Sequence, residues 1–183
     1  MRWVAERDAA GDAGAAARDR NNPYASVDPA PAARVILKEE IPAFAAALLD
    51  TTLPLFDRYK AMFSLRNAAE RAPRAAVLAL CAGFGDASPL FRHEIAYVLG
   101  QLAHDAAVPA LKARTADAAE HDMVRHEAAE ALGAIGTGEC VDFLAAYTGA
   151  DVPTMLRESA EVARDVVDYW AAGEGKEPAA AVA

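Results

Sequence analysis

Cysteine is scarce in this chain: Cys81 and Cys140 are the only two among 183 residues, and they form no C-x-x-C pair. Nothing here suggests a disulfide framework, and the default address is the reducing cytosol. Aromatic residues reach only 7% while alanine dominates an apolar content of 54%, a composition that favours closely packed helices over sheets. Basic residues are outnumbered 18 to 27, which leaves a net charge of -9 and no cationic footprint for phosphates, so a free nucleic-acid partner is not expected. That surface suits a cationic ligand or a basic protein, although solvated helix faces are the plainer reading. No apolar run approaches the ~20 residues of a membrane span. The opening "MRWVAERDAAGDAG" is too polar and too acidic for a secretory signal. A cytoplasmic protein with one sizeable core and no membrane partner is the expectation.

What the chain does contain is a repeat. Four segments superimpose: "LFDRYKAMFSLRN", "LFRHEIAYVLGQL", "MVRHEAAEALGAI" and "MLRESAEVARDVV". Their third positions are Asp57, Arg92, Arg125 and Arg157, at intervals of 35, 33 and 32 residues. Shorter helical runs such as "AAVLALCAG", "AAVPALKAR" and "CVDFLAAYTG" alternate with them. Two helices per unit at a period of roughly 30–45 residues mark an all-α superhelix, a HEAT-type α-solenoid of about four helical hairpins. The repeat domain is expected over 34–172. Residues 1–33, rich in Ala, Gly, Asp and Pro, read as a linker, and 173–183 as a disordered tail.

Helical periodicity then sorts the residues. Phe91, Ile95, Val98, Leu99 and Leu102 form one apolar stripe, and Val124, Ala128, Leu132 and Ile135 form its counterpart a repeat later. His93, Glu94, Tyr97 and Gln101 fall opposite the first stripe, and His126, Glu127 and Glu130 opposite the second. Stacked repeats place equivalent helices about 8–10 Å apart, so the two His-Glu pairs should share one surface, where their imidazoles can converge on one metal. Two imidazoles with carboxylates and no thiolate suit non-haem iron better than structural zinc. A zinc-protease H-E-x-x-H is excluded, because Tyr97 and Glu130 stand where its second histidine belongs.

The plainer alternative is that each pair is polar surface near a helix start. His104 and His121, each followed by Asp, read as exposed loop histidines rather than a His-Asp hydrolase site. Arg92 and Arg125 read as structural, binding helix ends or carboxylates. In the fourth unit Glu158 occupies the histidine position, and in the first the paired positions fall on Arg58 and Tyr59.

Together, "NPYASVDPAP", "PLFDRYKAMFSLRN", "LFRHEIAYVLGQL", "MVRHEAAEALGAIG" and "LRESAEVARDVVDY" closely resemble the C-terminal half of the deoxyhypusine hydroxylases, from about Asn22 to Tyr169. The resemblance implies a HEAT-repeat monooxygenase with a non-haem di-iron site, Fe(2+) being the cofactor. Its expected reaction hydroxylates the deoxyhypusine side chain, N6-(4-aminobutyl)lysine, of the hypusine-bearing translation initiation factor, using O2 and an external reductant. It further implies that His93 and His126 ligate one iron and that Glu94 reaches the other. Glu127 belongs to the same set, as a ligand or as a partner for the substrate amines. Glu130 is added here as a second carboxylate that could orient those amines.

The family carries four His-Glu motifs, two in each of two similar halves, and this chain carries two. Either it is a fragment of a longer protein, whose first half would end near "RWVAERDAAG", or two copies pair about a two-fold axis as a homodimer. The alternative function is a metal-free HEAT scaffold whose concave face grips a protein. A bilin lyase of HEAT type finds no supporting residue.

Overall fold

The computed structural model describes residues 36–171, so the expected linker over 1–33 and tail over 173–183 lie outside the described residues. Eight α-helices follow a short 3-10 turn: α1 (Ile41–Leu49), α2 (Leu55–Ala68), α3 (Pro73–Cys81), α4 (Pro89–Leu102), α5 (Val108–Ala116), α6 (Asp122–Ile135), α7 (Gly138–Ala145) and α8 (Thr154–Ala171). They pair as four hairpins, each a short helix followed by a long one. The long helices stack side by side, with the most extensive packing between α4 and α6 and between α6 and α8. The architecture is the expected all-α, HEAT-type solenoid. No helix among the described residues is long and apolar enough to cross a membrane.

Local sequence sets the helix ends. Proline lies in the first turn of α1, α3, α4 and α5, where its missing N–H costs nothing. Ser88 caps α4 by accepting from the Phe91 amide. Gly136 closes α6 with φ +65°, the left-handed turn that glycine adopts without strain.

Between these ends the two stripes face inward. Phe91, Ile95, Val98, Leu99, Val124, Ala128 and Leu132 are all fully buried, while Leu102 and Ile135 at the helix ends are half-buried. Each of the larger side chains contributes on the order of 1.5–3 kcal/mol by leaving water. Small residues then set how closely the long helices approach. A Cβ added at Gly100 would lie 3.2 Å from both Cα and Cβ of Ala131. One at Gly133 would lie 2.5 Å from Cβ and 2.8 Å from Cα of Ala163.

One arginine in each of the first three repeats anchors the register. Arg58 Nε donates to the Leu48 carbonyl at 2.9 Å, and Arg125 Nε donates to the Thr115 carbonyl at 3.1 Å, in each case ten residues back on the preceding short helix. Arg92 donates to the Asp86 carbonyl at 2.6 Å and through Nε to Glu120 at 2.9 Å, and Arg58 also pairs with Asp86. The structural reading of Arg92 and Arg125 thus accounts for both side chains. Burial would raise the acids of Asp86 and Glu120. The Ser88 and His121 amides and the arginines outweigh it and hold both carboxyls below their ordinary values.

These bonds correct the expected alignment. Arg58, Arg92, Arg125 and Arg157 are each the fourth residue of their helix, so the repeat arginine of the first unit is Arg58 and not the Asp57 position. Tyr59 and Lys60 therefore stand in the His and Glu positions of the first repeat, and Glu158 and Ser159 in those of the fourth. The matching "LF" pairs misled the superposition: Phe91 is fully buried, whereas Leu55 and Phe56 are about half exposed.

Candidate metal centre

The His-Glu pairs sit in the first half of α4 and α6, immediately after the arginine anchors, on faces turned away from the core. Close packing of the two helices brings the imidazoles of His93 and His126 to a centroid separation of 6.0 Å with their planes 33° apart. Glu127 lies between them. Its Oε2 is 3.1 Å from His93 Nε2 and 3.7 Å from His126 Nε2. One donor atom from each of His93, His126 and Glu127 falls within 4.8 Å of the other two, and these three form the one such cluster among the described residues.

Glu94 stands beside the cluster, with Oε1 3.6 Å from His93 Nδ1. Glu130, one turn after His126, places Oε1 3.1 Å from His126 Nδ1, with its side chain 45% exposed. The four residues expected to ligate metal thus share one surface, three of them within a single donor cluster and Glu94 at its edge.

The electrostatics suit a cation. Burial pushes the Glu127 acid up to about 7, helped by the neighbouring Glu130 and Glu94 carboxylates and opposed by His126. His93 Nδ1 is buried with no hydrogen-bond partner. A partly desolvated carboxylate among further carboxylates, facing two imidazoles, is a set of hard and borderline donors that a divalent first-row metal would satisfy.

The remaining histidines have local work. His121 Nδ1 accepts from the Met123 amide at 3.2 Å at the start of α6, and His104 Nδ1 accepts from the Ala106 amide at 3.0 Å. His121 is exposed as expected, whereas His104 is half-buried. Ser159 of α8 went unnoticed in the sequence although its Oγ lies 3.1 Å from His126 Nδ1. Its only signal is that it occupies the repeat position of Glu94 and Glu127.

Comparison with known proteins shows what this chain is similar to. A model described as HEAT repeats matches residues 75–163. The deoxyhypusine hydroxylase of Danio rerio is 51% identical over 148 residues, covering 81% of this chain and 46% of the relative. The one from Homo sapiens is 50% identical over 147 residues, covering 80% and 46%. A solved structure of human deoxyhypusine hydroxylase in complex with glycerol superimposes with a TM-score of 0.73 at 45% identity, covering 92% of this chain and 53% of that one. The chain spans about half the length of the curated relatives it matches. It is accordingly a homologue of the deoxyhypusine hydroxylases over that half of their length.

Proposed function

We propose that this chain carries one half of the site of a cytoplasmic deoxyhypusine monooxygenase, an enzyme that converts deoxyhypusine on the hypusine-bearing translation initiation factor to hypusine. The observation that carries this reading is the convergence of His93, His126 and Glu127 on one point in a homologue of that family. Non-haem iron, as a di-iron centre in the complete site, would supply the activation of O2 needed to oxidise an unactivated carbon, which side chains alone cannot do. His93, His126, Glu127 and, at the edge, Glu94 are the residues of this chain that would hold it.

The protein's own part is positioning. Neutral imidazoles and carboxylates hold ferrous iron while leaving open positions for other ligands. Acidic groups at the rim attract the ammonium groups of the substrate's aminobutyl-lysine arm, and exposed Glu130 is placed for this. The remaining donors come from the other half of a longer chain or from a second copy.

The test is product analysis. Ferrous-loaded protein with its site completed by the other half of a longer chain or by a second copy, given a deoxyhypusine-bearing factor, O2 and a reductant, should give a product heavier by one oxygen atom on the modified lysine. Separate His93→Ala and His126→Ala variants should give none while keeping their helical circular dichroism. Undiminished hypusine from either variant would refute the assignment.

A further inference from the structure

We infer that Ser159 and Glu130 act together as positioning residues that hold the proton of His126 on Nδ1 and so present a bare Nε2 to the metal cluster. The inference deepens the metal-site reading and rests on it for its purpose, but not for its hydrogen-bond logic.

Two groups face His126 Nδ1: Glu130 Oε1 at 3.1 Å and Ser159 Oγ at 3.1 Å. An ionised carboxylate only accepts hydrogen bonds, so a bare Nδ1 would set lone pair against lone pair; the proton must sit on Nδ1. Ser159 agrees. Its single hydroxyl proton goes to the Met155 carbonyl at 2.9 Å, which leaves the oxygen free to accept from the imidazole. Ser159 is only 6% exposed, so water cannot readily take its place. A neutral imidazole carries one N–H. With that proton on Nδ1, the Nε2 lone pair is free on the side of Glu127, 3.7 Å away.

His93 has no such device. Its Nδ1 is buried without a hydrogen-bond partner, and only its Nε2 faces a carboxylate oxygen at hydrogen-bonding distance. The two imidazoles are therefore unequal: the Nδ1 of His126 is held by Ser159 of the neighbouring helix, and the Nδ1 of His93 has no such partner. The fourth repeat lacks a His-Glu pair, yet through Ser159 it orients the ligand of the third. Partners of this kind typically change metal affinity by about 10–100-fold when removed.

The test has two readouts. In metal-free protein labelled with 15N-histidine, at a pH above the ordinary imidazole range, ring nitrogen shifts should show the Nδ1–H tautomer for His126. The Ser159→Ala/Glu130→Ala double variant should move it toward Nε2–H or a mixture, whereas Ser159→Thr, which keeps the hydroxyl, should leave it alone. Both substitutions lie on helices and favour them, and Glu130 is exposed, so the fold should survive. Anaerobic titration with ferrous iron should show affinity about 10–100-fold lower in the double variant and near wild type in Ser159→Thr. A wild-type proton on Nε2, or an unchanged tautomer and affinity in the double variant, would overturn the inference. An Nδ1–H tautomer in a wild-type protein that takes up no iron would sink the metal reading and leave the hydrogen-bond assignment standing.

Discussion

The junction of α4 with α6 and the junction of α6 with α8 follow one plan, yet only the first brings two imidazoles together. In both, a glycine late in one long helix admits an alanine of the next: Gly100 against Ala131, and Gly133 against Ala163. In both, the repeat arginine opens the next helix. What differs is the pair of residues after that arginine, His-Glu in α4 and α6 and Glu-Ser in α8. The lesson is a separation of duties. Arginine, glycine and the apolar stripe make the stack, while two outward positions per repeat are free to carry chemistry without weakening the core.

Substitutions can break this symmetry. The largest effect should fall on the arginine anchors. Arg92→Met strands Glu120, whose side chain is only 2% exposed, and should cost about 3 kcal/mol. That is the low end for a broken buried pair, because Arg114 still reaches Glu120 Oε2 at 3.3 Å. Arg125→Met removes a bond to a carbonyl and should cost about 1.5 kcal/mol. Urea unfolding of both variants measures the difference, and equal losses would argue against distinct anchors.

The glycines come next. Gly133→Ala forces a methyl into the Ala163 backbone, a clash no rotamer relieves, and should destabilise by about 1–3 kcal/mol. Gly100→Ala meets its neighbour at 3.2 Å, and its gain of about 1 kcal/mol in helix propensity should leave it near neutral. Thermal melts of the pair would show whether the second junction is the tighter one.

The smallest effect is expected at the helix ends. Ala103 and Gly136 occupy the same repeat position, both with positive φ, at 45° and 65°. Alanine pays for that conformation and glycine does not, so Ala103→Gly should stabilise by up to about 1 kcal/mol. A loss of stability would mean that the alanine methyl contributes packing that outweighs its strain.

Much of this was legible in the sequence. The apolar stripes and the spacing of "RHE" gave the solenoid and placed His93, His126, Glu94 and Glu127 on one face, because helical periodicity and repeat stacking leave little choice. The phase of the first repeat was not legible, because Phe56 imitates Phe91 in type but not in burial. The hydrogen bond from Arg58 to the Leu48 carbonyl settles it, and that contact has no sequence signature. Ser159 escaped for a similar reason: a hydroxyl becomes a partner for His126 only once the packing of α6 on α8 is known. The upward push on Glu127 likewise arises from burial among other carboxylates, which spacing alone does not reveal.

Ferrous binding under strict anaerobiosis, read together with circular dichroism, tests the metal cluster most directly. Wild-type protein should retain about one iron per chain after removal of free metal, as one cluster of three donors implies. His126→Ala should lose it with its helix content intact, and Ala substitution at exposed Glu158, the same position one repeat later, should change nothing. Iron retained by His126→Ala, or none retained by a fully helical wild type, would contradict the assignment of His93, His126 and Glu127 as a metal site of this chain.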